Sequence, residues 1–201
     1  FEDFDSNDPR YGVPTLVIGR GLAATKRSDA VFSGANIAKI QFPSHLKAVH
    51  SNAIRNLNYE NKAVKDAVII FSPDSTVAFE AAAIRNNNAI KVIQMPKITK
   101  TERLCFTQNS NLESVTFAPG SNMTTMGERA FESCAMLKSI VIPASVTMLG
   151  KGCFTNCSSL TSFAQEAGGV LETIGESAFS GCRSFKTFKV PDTVTVIDTN
   201  A

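Results

Sequence analysis

Five cysteines, two histidines and four recurring glutamates are the side chains of this 201-residue chain whose types and spacing invite a chemical reading. Cys153 and Cys157 stand four apart, a spacing that suits two ligands of one metal ion, but tetrahedral zinc needs four, and no second pair or nearby histidine completes the set. Cys105, Cys134 and Cys182 make the total odd, so at least one thiol stays unpaired within the chain. His45 and His50 lie in the turn-like stretch Pro43-Ser44-His45-Leu46-Lys47-Ala48-Val49-His50. A general base needs a carboxylate or nucleophile beside it, and no motif supplies one, so both are expected to be solvated. Glu80, Glu128, Glu172 and Glu176 read as solvent-facing polar residues, and Gly19-Arg20-Gly21-Leu22 lacks the later glycine of a phosphate-cradling loop. No catalytic residue, metal or cofactor is expected, and the chain reads as a non-enzyme.

Bulk composition narrows the partners. Twenty basic against eighteen acidic residues give a formal charge of only +2, too balanced for a nucleic-acid or anionic-membrane footprint. A hydrophobic content of 43% is enough for a continuous core, yet no apolar run reaches the length of a transmembrane segment. The start, Phe1-Glu2-Asp3-Phe4-Asp5, lacks the basic and apolar regions of a secretory signal, and without an initial Met a removed signal peptide stays open.

What positions these residues is a repeat. Met126-Gly127-Glu128-Arg129-Ala130-Phe131-Glu132-Ser133-Cys134 returns as Leu149-Gly150-Lys151-Gly152-Cys153-Phe154-Thr155-Asn156-Cys157 and as Ile174-Gly175-Glu176-Ser177-Ala178-Phe179-Ser180-Gly181-Cys182. The small-plus-large apolar pair extends the register to Ala30-Val31, Ala53-Ile54, Ala83-Ile84 and Cys105-Phe106, with an eighth unit cut short at Ala201. Successive spacings are 23, 30, 22, 25, 23, 25 and 23 residues, the period of a solenoid whose units bury their apolar faces only by stacking. Six residues after the large apolar residue, the pattern apolar-x-x-apolar-x-apolar opens, as in Leu137-Lys138-Ser139-Ile140-Val141-Ile142. Its period-2 ending predicts a short strand, which Pro43, Pro96, Pro143 and Pro191 terminate. The motif glycine is expected to permit a tight bend, and the Ala-Phe pair to lie on a short helical turn.

Leu137 through Cys157, echoed from Phe185 to Ala201, resembles the BspA-like class of leucine-rich repeats, most closely over 104–201 and more loosely over 27–103. The resemblance implies a right-handed leucine-rich repeat solenoid, strand-rich with short helical turns and about seven to eight coils, its parallel strands on a concave face. It also implies a cell-surface or secreted protein of host-associated bacteria or protists, often an adhesin. Residues 1–26 are expected to form a cap and 27–201 the array, which the cut-short last unit suggests continues further.

Within that register Phe106, Phe131, Phe154 and Phe179 form one core column and Cys134, Cys157 and Cys182 another. Recurrence at one position favours buried thiols packed as small hydrophobes. Disulfides between coils are the alternative, because strands roughly 5 Å apart bring Cα atoms within the bridging range of about 4.4 to 6.8 Å. Two columns are expected on the concave face: Lys39, Val92, Ser114, Ser139, Ser162 and Thr187 beside Gln41, Gln94, Thr116, Val141, Ala164 and Lys189. They are small and hydroxyl-rich, without the Trp, Tyr or Arg anchors that dominate interfaces. About seven extra residues between Ala53 and Ala83 fall around Asn58, Tyr59, Glu60, Asn61 and Lys62, either an edge bulge or a ligand-contacting loop. The expected partners are proteins, such as extracellular-matrix or plasma proteins of a host, or other cell-surface macromolecules. A structural spacer carrying another domain is the alternative; a glycan- or peptide-acting enzyme ranks below both.

Overall fold

Alternation puts Ile140 and Ile142 of the strand Ser139–Ile142 inside, 2% and 0% exposed, and leaves Val141 between them 52% exposed. In the computed structural model this rule operates coil after coil. The structure describes residues 4–5, 15–17, 32, 37–57 and 66–201. Lys39–Phe42, Ala67–Phe71, Ile90–Met95 and Ser114–Phe117 stand side by side in one parallel ladder that begins with Thr15–Val17. Phe4–Asp5 pairs antiparallel with Thr15–Val17 and closes that edge of the six-stranded sheet. Ser139–Ile142 and Ser162–Gln165 form a second parallel pair. A narrower sheet of two-residue strands, Thr125–Met126, Met148–Leu149, Thr173–Ile174 and Val196–Ile197, forms another ladder through the same coils. The expected cap, 1–26, and the anchor Ala30-Val31 lie largely outside the described residues.

The expected helical turn at the Ala-Phe pair is not there; no helix occurs among the described residues. Arg129 and Ser133, which bracket Ala130-Phe131, have φ of 52° and 61°, and the same left-handed positions recur at Leu104 and Gln108, at Gly152 and Asn156, and at Ser177 and Gly181. Left-handed residues at this spacing break a right-handed helix. Hydrogen bonds alternate accordingly. Ala130, Glu132 and Cys134 donate to carbonyls three residues back, whereas Arg129, Phe131 and Ser133 donate to Lys151, Cys153 and Thr155 of the next coil, each at 2.8 Å. A helix would spend all of these groups within its own coil; the turn spends half of them on stacking.

Stacking also explains the motif glycine, and not through a bend. Gly127, Gly150 and Gly175 do not adopt positive φ. A Cβ at Gly150 would sit 2.7 Å from the Met126 carbonyl oxygen, one at Gly175 2.6 Å from that of Leu149, and one at Gly127 against Thr101. The glycine lets two backbones touch. Inside the coils Phe106, Phe131, Phe154 and Phe179 stack with centroids 5.1, 5.6 and 5.5 Å apart and planes within 16°. The first three are fully buried, while Phe179 and Cys182 are half-buried. Where the turn carries Ile54 or Ile84, the aromatic moves to the strand end: Phe42 and Phe71 stack at 4.7 Å, and Phe79 joins this half-spine to Phe106 at 5.6 Å. Bulk lost at one position of a coil returns at another, as close packing requires.

At the last unit the expected strand does not form. Phe185 and Phe188 pack on Phe179, with centroids 6.0 and 5.0 Å away, and Phe188 also on Phe163, so Thr187 and Lys189 sit in irregular chain and do not extend the columns. Phe188 stacks on Phe163 at 5.9 Å, so the segment packs beside Ser162–Gln165 through its rings, without the backbone hydrogen bonds that would make it a strand.

Two measurements test this packing. Gly150→Ala is expected to cost about 1–3 kcal/mol in urea unfolding, because Cβ meets rigid backbone, whereas Gly168→Ala, with φ +76° and nothing within 4 Å, is expected to cost about 1 kcal/mol.

Candidate functional site

Across the four strands that follow the N-terminal pairing, the outward side chains of the ladder align in register. Lys39 stands opposite Val68, Val68 opposite Val92, and Val92 opposite Ser114; in the adjacent column Gln41, Ile70, Gln94 and Thr116 follow one another. Ser139 faces Ser162 and Val141 faces Ala164 in the next pair of coils. Ten of the twelve anticipated face residues therefore occupy the outward positions of paired strands; the loop candidates Asn58, Tyr59, Glu60, Asn61 and Lys62 lie outside the described residues. The ladder also contains two members that the sequence reading missed. Val68 and Ile70 belong to Ala67–Phe71, an uninterrupted apolar run with no alternation to betray which side chains face out. Ser72-Pro73 directly behind it was the usable signal, since proline closes the other strands too. With the expected Val92 they make a half-buried apolar stripe within columns that were otherwise expected to be mostly small and hydroxyl-rich.

Charges rim this stripe. Lys91 falls at the bulge where the register slips between Ala67/Ile90 and Val68/Val92. Its Nζ lies 3.1 Å from Asp66 Oδ1 and 3.8 Å from Glu113 Oε1, and Lys138 Nζ donates to Glu113 Oε2 at 2.7 Å. The Lys138 hydrogen bond holds the Glu113 carboxyl below its ordinary range. The four side chains alternate in sign across four successive strands, so their gain is positional rather than a large stabilisation.

Beneath the turn lies a buried polar ladder, also unanticipated. Asn87 and Asn109, both fully buried, take the repeat position that Cys134, Cys157 and Cys182 take later. Asn109 Nδ2 donates to the carbonyls of Ile84 and Phe106 at 2.9 and 2.8 Å, and its Oδ1 accepts from the Asn87 main chain and side chain. Asn87 Oδ1 in turn accepts the Leu57 N–H at 2.7 Å. The cysteines do a reduced version of this job: Sγ of Cys134, Cys157 and Cys182 donates to the carbonyls of Phe106, Phe131 and Phe154 at 3.2–3.3 Å. All five cysteines are free thiols. Burial pushes Cys134 up to about 12 and Cys182 up to about 11, which keeps them protonated as donors and poor as nucleophiles.

His50 is not without a carboxylate, as the sequence suggested. Glu80, one coil on, places Oε1 2.9 Å from His50 Nδ1, while Oε2 accepts from the Ser51 N–H at 3.1 Å and the Ser51 hydroxyl at 3.2 Å. Serine and histidine both bond the glutamate and not each other, so the trio has no nucleophile–base contact and acts as a staple between coils. The bond from His50, then that from the Ser51 main chain, holds Glu80 below its ordinary 4.5.

The profile described as "BspA type Leucine rich repeat region" matches residues 23–74 and 78–201, in six copies. No curated protein matches the chain significantly. Among solved structures, the pneumococcal vaccine antigen PcpA is similar at TM-score 0.52 and 17% identity, over 86% of this chain; the chain spans only 38% of that protein's. Leucine-rich repeat proteins from Bacteroides ovatus and Eubacterium ventriosum align at 15% and 12% identity, with TM-scores of 0.31 and 0.29, over 94% and 92% of this chain and 87% of each of theirs.

Two outcomes follow. Asn109→Cys is expected to be tolerated better than Asn109→Leu, which strands the Asn87 N–H and two carbonyls at about 1–3 kcal/mol for each group left unpaired; thermal melts of the two variants decide it. Glu80 is depressed in the fold, so its contribution is full above the ordinary carboxylate range and disappears as pH falls through the lowered value. Glu80→Gln should thus melt earlier than the parent at pH 7 and match it in strong acid.

Proposed function

Because the chain belongs to the BspA-type leucine-rich repeat family, we propose that it is a non-enzymatic, cell-surface or secreted module that binds macromolecular partners, chiefly proteins, on the outward face of its strands. Arrays of this family generally serve as interaction scaffolds, and among the described residues no helix is long and apolar enough to cross a membrane. The observation that carries the reading is the ladder itself. Two columns of outward side chains are held in fixed register by paired backbone, giving a rigid surface that loses little entropy on binding. Val68, Ile70 and Val92 supply apolar contact at its centre, and Asp66, Lys91, Glu113 and Lys138 supply a rim whose alternating signs orient a partner.

Surface binding to a broad panel of soluble extracellular-matrix and plasma proteins tests it. A partner found this way should bind at least about tenfold more weakly to Thr116→Arg/Val141→Arg, and unchanged to Met148→Lys, whose side chain stands on the separate narrow sheet. Failure across the whole panel, or equal loss in the Met148 variant, removes the strand face as the site.

A further inference from the structure

At the second residue after the small one of each turn, the array has a recurring solution. Thr107 and Thr155 stand there, and each hydroxyl donates to a carbonyl of the next coil, that of Glu132 at 3.1 Å and that of Ser177 at 2.8 Å. Two consecutive coils depart from it with Arg55 and Arg85, which are register partners in the parallel pair Ile54–Arg55 and Ile84–Arg85. Neighbouring strands hold such partners about 4.8 Å apart at the backbone, and like charges so placed repel. No carboxylate relieves them: neither guanidinium has an ion pair among the described residues, although Lys91, Arg103, Lys138 and Lys151 all do. Arg85 is held instead through its Nε, which donates to Asn52 Oδ1 at 2.7 Å across the coil boundary. That bond draws the half-buried Arg85 back over the turn that carries the exposed Arg55, and it leaves both terminal amino groups of Arg85 unspent.

We propose that Arg55 and Arg85 form a binding site for a tetrahedral oxyanion, a sulfate or phosphate group borne by an acidic polysaccharide. The number of acceptors selects the group. One planar guanidinium fork satisfies both oxygens of a carboxylate, whereas a sulfate or phosphate ester offers three free oxygens that two adjacent guanidiniums share. The surroundings select the carrier. Beside the arginines Asn86 Nδ2 donates to Asn56 Oδ1 at 2.7 Å, which leaves Asn56 Nδ2 and Asn86 Oδ1 without a partner among the described residues, a donor and an acceptor suited to sugar hydroxyls. None of the eight large apolar side chains exposed among the described residues lies before Met136, so the site lacks the apolar anchors that hold a protein partner. With a formal charge of only +2 on the whole chain, the field is local, and it suits a discrete anionic group rather than a duplex or a membrane. The pair lies on the turns, apart from the strand face, and stands or falls independently of it.

Calorimetric titration of the 201-residue chain with dextrans of one length, neutral, carboxymethylated, sulfated and phosphorylated, tests this. The sulfated or the phosphorylated form should bind, and the tighter of the two identifies the oxyanion. The carboxymethylated form should bind at least about tenfold more weakly, and the neutral form should give no heat. Arg55→Gln/Arg85→Gln should abolish binding. Should that variant misfold, Arg55→Gln alone, at an exposed side chain without an ion pair among the described residues, should keep the parent's thermal melt and lose about tenfold in affinity. Lys151→Gln removes the same charge from a residue already paired with Glu176 and should bind like the parent. Binding of neither ester, equal binding of the carboxymethylated form, full affinity in the Arg55 variant or an equal loss in the Lys151 variant overturns the proposal. So does a phosphoserine peptide held more tightly than either ester. A protein ligand of the strand face should keep its affinity in Arg55→Gln, so failure of one site is told apart from failure of the other.

Discussion

Contact between the backbones of successive coils is the constraint from which the remaining structure follows. Every other residue of the turn donates forward to the next coil, and Gly127, Gly150 and Gly175 sit where even a methyl group would strike the backbone beneath. Once that spacing is set, residues one repeat apart are forced into columns, and each column must hold side chains that tolerate their own kind as neighbours. Phenylalanine rings satisfy this by stacking, alanine and cysteine by being small, serine and threonine by donating to a carbonyl of a neighbouring coil, the preceding one for Ser145 and the following one for Thr155.

The position at the end of the turn shows how different chemistries meet one requirement. The carbonyl of the large apolar residue one coil back points into the core and needs a donor. Asn109 answers it with an amide that also bonds its own coil and the asparagine below; Cys134, Cys157 and Cys182 answer it with a single weaker thiol. Asparagine holds the position behind Ile84 and Phe106, where the two halves of the array meet, and cysteine holds it behind Phe131, Phe154 and Phe179. Gln165 solves a related problem alone. Its amide donates to the carbonyls of Pro143, Ala144 and Val146 and accepts from Leu171, tying down the longer loop that follows its strand.

Much of this was legible because it repeats. The strand pattern, the phenylalanine and cysteine columns and ten of the twelve outward residues can be read from spacing, since a column in space is a period in sequence. Three things were not. Ala67–Phe71 was hidden by having apolar residues on both faces and by the insertion before it, so Val68 and Ile70 were absent from the expected surface. The turn was taken for helical because a small-large-x-x-small pattern is shared by helices and by tight successive turns, and only the dihedral angles of Arg129 and Ser133 separate them. His50 and Glu80 stand thirty residues apart, the spacing of Ala53 and Ala83, but which side chains meet across that coil depends on the directions in which the two turns point them.

By itself the sequence determined the architecture: units too short to bury their own apolar residues must stack, and their recurring residue types define what lies inside. Only the tertiary structure decided how the stacking is done and what it leaves outside. Hydrogen-bond direction, left-handed dihedrals, the closeness of backbone at the glycines and the pairing of charges across coils depend on atoms that one coil presents to the next. Periodicity encodes which residues become neighbours, but the distance and orientation at which they meet are set by packing the whole array.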